Sequence, residues 1–360
     1  MKRLLVLALL VAFVPSAHAA GCSPLNCSPS QFLFAHGTLL GVRVSVDKPL
    51  RVIDLRTGAT RWRLPAGIVS GNTLVSQSPG LVTWFDAATG ARLRAVPLQL
   101  HGTFQLVGAS QDATRAVLAR TQSRSTTFAI LGRHSQCLVK LGGRNWQFDA
   151  LNGQNLFLIQ TLRNGYEVRL YDLAANTLQK QPLKDQEKAA LIQGIPVQRV
   201  SSPSGRYLFT LYIDGNGNAM VHELDTAAGY AYCIDLAGTG DFNSAMTWAI
   251  VPSHNGSRLW AVSVGYGRIA EIDVAAHVVA EHARFYSIPW TANAGVAALA
   301  PDSKSLVVSD AQHLWFVSLQ TFKVRRGPNH VAIAVAFSPD ATRVYGVGQR
   351  SRVFSLRVNG

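Results

Sequence analysis

Side chains able to do chemistry are sparse in this chain, and their spacing decides what each could attempt. Asp214-Gly-Asn216-Gly-Asn218 sets oxygen ligands at alternate positions as a calcium loop does, but the later bidentate acid is missing and His222 stands where it would be sought. A hairpin turn rich in Gly and Asn is the plainer reading, with the metal loop as its alternative. His277, Glu281 and His282 have a zinc-like look. On a strand, however, residues 277 and 281 share one face and 282 takes the other, so the three cannot converge. No Gly-x-Ser-x-Gly elbow, phosphate loop or dinucleotide fingerprint occurs, and no cofactor is expected.

The elements that must position such side chains are short strands in a repeating unit. The clearest copy is FSPDATRVYGVG from Phe337: a strand ends in Ser-Pro-Asp, a tight turn follows, and a second strand alternates apolar residues. Related stretches begin at Ser201, Val251 and Ala300, with looser ones at Ser110, Ala150 and Val69. A second half has the form apolar-x-Asp-x-x-Thr-Gly, as in VIDLRTGATRWRL from Val52 and TWFDAATGARLRAV from Thr83. There Asp and Thr open a turn that Gly closes with positive φ. A period of roughly forty to fifty residues with turn chemistry at fixed places predicts an all-β fold, a single β-propeller of four-stranded antiparallel blades. Units begin near Gln31, Ala66, Thr103, Trp146, Ile195, Ser244, Ala294 and Val331, which gives eight blades. Seven is the alternative, because the opening strand near Gly67 to Val69 is very short. The eighth unit stops after VFSLRV from Val353, so Ser23 to Ser30 is expected to supply its outer strand and close the ring by joining the two chain ends. The stretch Leu183 to Gln193 has helix-forming composition.

Residues 1–20 read as a signal peptide: Lys2-Arg3, an apolar run from Leu4 to Val14, then Ala-His-Ala ending at Ala19. The run is too short to span a bilayer. Export to the periplasm, cell surface or medium is therefore expected, with residues 21–30 a cysteine-containing segment and 31–360 the propeller domain. Ala19-Ala20-Gly21-Cys22 loosely resembles a lipobox, which keeps a lipoprotein anchored at Cys22 as the alternative. In an oxidising compartment Cys22 and Cys27 form an easy local disulfide. Cys137 and Cys233 fall on the outer strands of units three and five, too far apart to bridge. Two thiols are expected there, unless the tail bonds to one of them or the register differs.

The net charge of +14 falls by two, to +12, once Lys2 and Arg3 are removed, and arginine supplies most of the excess. The arginines come in scattered pairs such as Arg61/Arg63, Arg92/Arg94 and Arg350/Arg352, with no run of five basic residues. This argues against sequence-specific nucleic-acid binding. On outer strands such pairs guard against edge-to-edge aggregation or attract an anionic envelope polymer or membrane surface.

GPNHVAIAVAFSPDATRVYGVG from Gly327 resembles a repeat of the YVTN and WD-type bacterial propellers. The first two units, with Gly-Asn-Thr-Leu-Val from Gly71 and Phe-Asp-Ala-Ala-Thr-Gly from Phe85, are similar to quinoprotein-type eight-bladed propellers. The resemblance covers most of the chain and implies fold rather than activity. Quinone-dependent relatives carry adjacent cysteines and a calcium site that this chain does not show. Seven-bladed lactonases carry Gly-Pro-Arg-His, from which Gly327-Pro328-Asn329-His330 departs at Asn329, leaving His330 as the remaining proton carrier.

In such a fold the loops between blades gather around the mouth of the central channel, where ligands bind by default. Those loops hold His101, Arg144 with Trp146, and Asp241 with Asn243. They also hold Tyr286 with Trp290 and Asn293, and Asn329 with His330. Trp62, Trp84, Trp248, Trp260 and Trp315 fall within strands and are expected in the core. The function expected is an exported, non-catalytic scaffold that binds a protein, peptide or glycan through the channel-mouth loops. A propeller enzyme of lactonase, hydrolase or quinoprotein type is the alternative.

Overall fold

The structure, a computed structural model, describes residues 31–36, 39–43, 48–163, 165–183, 192–238, 240–284, 295–309, 313–330, 332, 334–348 and 352–358. Among these, eight antiparallel sheets follow one another along the chain. Blade 1 runs from β1 (Gln31–His36) to β4 (Thr60–Leu64), blade 2 from β5 (Ile68–Ser70) to β8 (Arg92–Pro97), blade 3 from β9 (Gln105–Ala109) to β12 (Gln136–Gly142), and blade 4 from β13 (Trp146–Asn152) to β16 (Thr177–Leu178). Blade 5 runs from β17 (Ile195–Ser201) to β20 (Tyr230–Leu236), blade 6 from β21 (Trp248–Pro252) to β24 (Val278–Arg284), and blade 7 from β25 (Val296–Leu299) to β28 (Val324–Arg326). Blade 8, from β29 (Ala334–Phe337) to β31 (Val353–Arg357), has three strands among the described residues.

First strands pack on one another from blade 2 through blade 4 and from blade 5 through blade 8, and β29 packs on β1, so the first strands are innermost and the ring is closed. Leu40, Val42 and Ile53 of blade 1 share a core with Ala334, Tyr345 and Val347 of blade 8. The protein is thus an eight-bladed β-propeller. The short opening strand that left seven blades open is a true inner strand, Ile68–Ser70. It lies close to its neighbour because Gly67 has no side chain: a Cβ there would stand 2.2 Å from the Val75 carbonyl oxygen. Ser23 to Ser30 and both N-terminal cysteines lie outside the described residues. So does most of the expected surface helix, whose flanks instead pair as extended chain: Leu183 N–H donates to Val168 and Ile192 bridges Tyr166.

The Ser-Pro-Asp signal has a local mechanism. The hydroxyl of Ser338 accepts from the N–H of Arg343 at 2.9 Å and donates to Asp340, closing the turn between first and second strands. Ser110, Ser202 and Ser253 make the equivalent bond to Arg115, Tyr207 and Arg258. In the outer hairpins Asp54, Asp172, Asp225 and Asp273 accept N–H bonds from residues two or three positions on. Gly58, Gly229 and also Asn176 then take the left-handed conformation that reverses the chain. His277 occupies this position in blade 6, at φ 57°, so it belongs to a turn and not to a strand face.

Trp84 and Trp248 are buried and Trp62, Trp260 and Trp315 half-buried, in the core as their strand positions imply. Cys137 and Cys233 lie on β12 and β20 and are not bridged to each other.

Candidate functional site

The alternation of strands puts the loops between blades and the turns between second and third strands on one face, which will be called the loop face. On that face three segments meet over blades 5 and 6. The turn 214–218 follows the second strand of blade 5, the segment 240–247 leads into blade 6, and 264–267 turns within blade 6. Tyr266 ties them together, its hydroxyl donating to the carbonyls of Gly217 at 3.0 Å and Asp241 at 2.9 Å. Gly240 N–H donates to Asn216 at 3.0 Å.

Two glycines make the approach feasible. Gly217, at φ +78°, leaves space that a Cβ would take within 2.6 Å of the Asp241 backbone. A Cβ on Gly265 would stand 2.7 Å from the Cα of Ser244. Any side chain at either place would push the loops apart.

The carboxylates of this cluster are already engaged. Asp241 accepts from the N–H groups of Asn243 and Ser244 and from the Ser244 hydroxyl, capping the one-turn helix α1 (Phe242–Ala245). These bonds, the Ser244 hydroxyl first, hold its carboxyl below the usual range. Asp214 accepts from the N–H groups of Asn216 and Asn218 and from the Asn218 amide at 2.7 Å. Burial pushes Asp214 upward, but these donors outweigh it and the net shift is downward. The Asp214 stretch is therefore a hairpin turn whose oxygens stabilise the turn itself. Burial raises the Tyr266 hydroxyl, which stays a neutral donor. Left facing solvent are Asn216, Asn218 and Asn243.

Other expected loop residues are placed separately. His101 is exposed, and its carbonyl accepts from Arg120 Nη1 at 2.5 Å. Arg144 is exposed beside it in the ring order. Trp146 corrects the reading of it as a loop anchor: it is the first residue of β13, 7% exposed, packed with Phe128, Phe148 and Leu158, its indole N–H donating to Gly142. Large apolar area at the head of an inner strand is more stable between blades than in water. Asn329 accepts from Arg326 at 3.3 Å, and Arg326 also meets His313. His330 stacks on Phe354 with centroids 4.7 Å apart. Tyr286, Trp290 and Asn293 lie outside the described residues.

Residues that sequence reading missed bind the blades together. Arg199 on β17 bonds the Asp149 carboxylate at 2.6 Å and its carbonyl at 2.8 Å, both side chains more than nine-tenths buried. The Gln198 amide donates to the Ile250 carbonyl and accepts its N–H, serving as a missing strand partner between β17 and β21. Gln77 does the same toward Phe104 and Leu106. Glu223 is fully buried and faces His277 Nδ1 at 3.4 Å. Burial, then the charge of Asp225, pushes its carboxyl up to about 8, with Arg206 pulling the other way. His277 in turn stacks on Tyr232, centroids 3.5 Å apart. An aromatic between two glycines, as in Gly265-Tyr266-Gly267, was the one local signal for Tyr266. Pairs such as Arg199 and Asp149, fifty residues apart, have none.

No protein-family model and no curated protein sequence matches the chain. Solved structures do resemble it. A chain of Kuenenia stuttgartiensis hydrazine synthase is 15% identical, covering 80% of this chain and 93% of that one, with a TM-score of 0.43. The Swd1 β-propeller domain from Myceliophteria thermophila is 13% identical over 89% of this chain and 94% of that one, at 0.48. A chain of a mitotic checkpoint complex is 14% identical over 93% and 87%, at 0.46. At such identities and scores the likeness adds nothing to what the strands already define.

Proposed function

We propose that this chain is an exported, non-catalytic scaffold whose loop face binds a protein partner. Export rests on the basic, apolar, small-residue order of residues 1–20. The single observation that supports binding is the Tyr266 junction. It fixes three loops by hydrogen bonds to their own backbone and leaves Asn216, Asn218 and Asn243 presented on a rigid platform. A platform ordered in advance loses little conformational entropy on association. Its acids are committed to turns and a helix cap, which suits presentation better than proton transfer. Exposed His101 and Arg144, in the loops that lead into blades 3 and 4, continue the polar face around the ring, a spread that fits a protein surface better than a small molecule.

The test is capture of partners from the native extract by purified protein. Asn216→Tyr with Asn243→Tyr should remove a captured protein, while Ala175→Tyr, exposed on the opposite face, should leave it. Equal capture by all three proteins would refute the loop-face reading.

A further inference from the structure

The outer strands form the rim of the ring, and their charge is unevenly shared. Three blades, 7, 1 and 2, carry arginine pairs on their fourth strands: Arg61 and Arg63 on β4, Arg92 and Arg94 on β8, Arg325 and Arg326 on β28. On blade 8, where β31 is the outermost described strand, Arg352 precedes it and Arg357 ends it. These four strands contain no acid. The outer strands of blades 3 to 6 balance Lys140 and Arg284 against Asp235 and Glu281.

Height along the rim is set by strand direction. Arg61, Arg92 and Arg325 are the second, first and second residues of parallel-running outer strands, so they lie at one level. The strand β31 runs the other way, and Arg357 is its last residue, which brings it to that same level. This level adjoins the face opposite the loops: the turns of Asp54 and Asp86 lead directly into β4 and β8, and Asp302 and Asp340 lie in turns between the inner strands of blades 7 and 8. Arg61 holds the buried Asp54 and remains half exposed. The rim is stiffened from beneath: the Arg94 guanidinium lies 3.9 Å over buried Trp84 and that of Arg325 4.9 Å over Phe316, while Arg325 also bonds the Val358 carbonyl of the next blade.

We propose that this arginine row is a docking track for a linear acidic polysaccharide, which follows the rim across blades 7, 8, 1 and 2. Planar guanidinium forks, rather than ammonium groups, match carboxylate or sulfate geometry. A track along half of a convex circumference suits a flexible chain, since a flat membrane touches such a rim over one or two blades only. Duplex nucleic acid, with a persistence length of about 50 nm, resists the curvature. Single-stranded nucleic acid requires exposed aromatics for base stacking, whereas Trp84 and Phe316 are buried under the arginines.

The probe is polygalacturonate, with phosphatidylglycerol vesicles and oligodeoxythymidine as parallel arms. Full-length protein should bind polygalacturonate at 50 mM salt and lose at least tenfold in affinity at 200 mM. The row variant Arg63→Gln/Arg92→Gln/Arg325→Gln/Arg357→Gln should bind at least tenfold more weakly. The matched variant Arg124→Gln/Arg133→Gln/Lys140→Gln/Arg163→Gln, with the same loss of charge elsewhere, should stay within twofold. If the row variant melts early, the four corresponding Arg→Lys changes should still lower affinity severalfold with an unchanged melting temperature. Equal losses in row and matched variants would overturn the proposal, as would row-dependent binding of vesicles or oligodeoxythymidine at least as tight as that of polygalacturonate. Asn216→Tyr with Asn243→Tyr should leave polygalacturonate binding intact, so failure here is separable from failure of the loop-face reading.

Discussion

Blades 4 to 6 keep charged groups inside the joints between blades, whereas blades 7, 8, 1 and 2 keep theirs on the rim. The joint between blades 4 and 5 buries Arg199 against Asp149, and that between blades 5 and 6 buries Glu223 beside His277. The joints of the other half are apolar: Leu50, Val52 and Leu74 between blades 1 and 2, and Phe316, Val335 and Val344 between blades 7 and 8. An apolar joint is non-directional and leaves the surface free to carry charge of one sign. A buried pair sets a defined relation between two blades and is costly to leave half-made. Rigidity for the loop platform and charge for the rim are thus placed in different halves of one ring.

The comparison breaks first where a buried charge loses its partner. Asp149→Ala leaves Arg199 buried alone and should cost about 3–5 kcal/mol, read as a fall in melting temperature. Asp149→Leu with Arg199→Met should recover most of it; no recovery would mean that packing, not charge, governs this joint.

Glu223 sharpens the comparison through pH. Its folded value, about 8, lies above the ordinary carboxylate value of 4.5. The stability it contributes is therefore full below about pH 4.5 and is lost as pH rises through about 8. The groups around it are Asp225 on its own strand, Arg206, Tyr207, Tyr230, Tyr232, and His277 from blade 6. Glu223→Gln should match the wild type near pH 5 and exceed it near pH 9 by on the order of a few kcal/mol. A difference independent of pH would contradict the assignment.

Gln198→Ala removes both bonds to Ile250 and should cost about 1–3 kcal/mol, measurable by urea unfolding. Smallest is the rim: Arg63→Gln or Arg92→Gln should change stability by less than about 0.5 kcal/mol. A larger loss would assign those arginines to the fold rather than to a surface.

Blade order was legible because its signals are local. Ser338 and Asp340 close a turn within six residues, and the same atoms recur at Ser110 and Ser202, so the repeat could be read without knowing what it packs against. The loops between blades could be located for the same reason. What side chains do there could not: Trp146 is the first residue of a strand and is buried, although Arg144, two residues before it, is exposed. His277 in its left-handed turn and the Arg199–Asp149 pair depend on the ring being closed, a condition no local spacing encodes.

The central claim, binding on the loop face, is tested most directly by hydrogen exchange on a complex with a captured partner. Slowed exchange in 98–104, 214–218 and 240–247, with the turns 110–115 and 202–206 unchanged, is the predicted result. Protection confined to those opposite-face turns would contradict it.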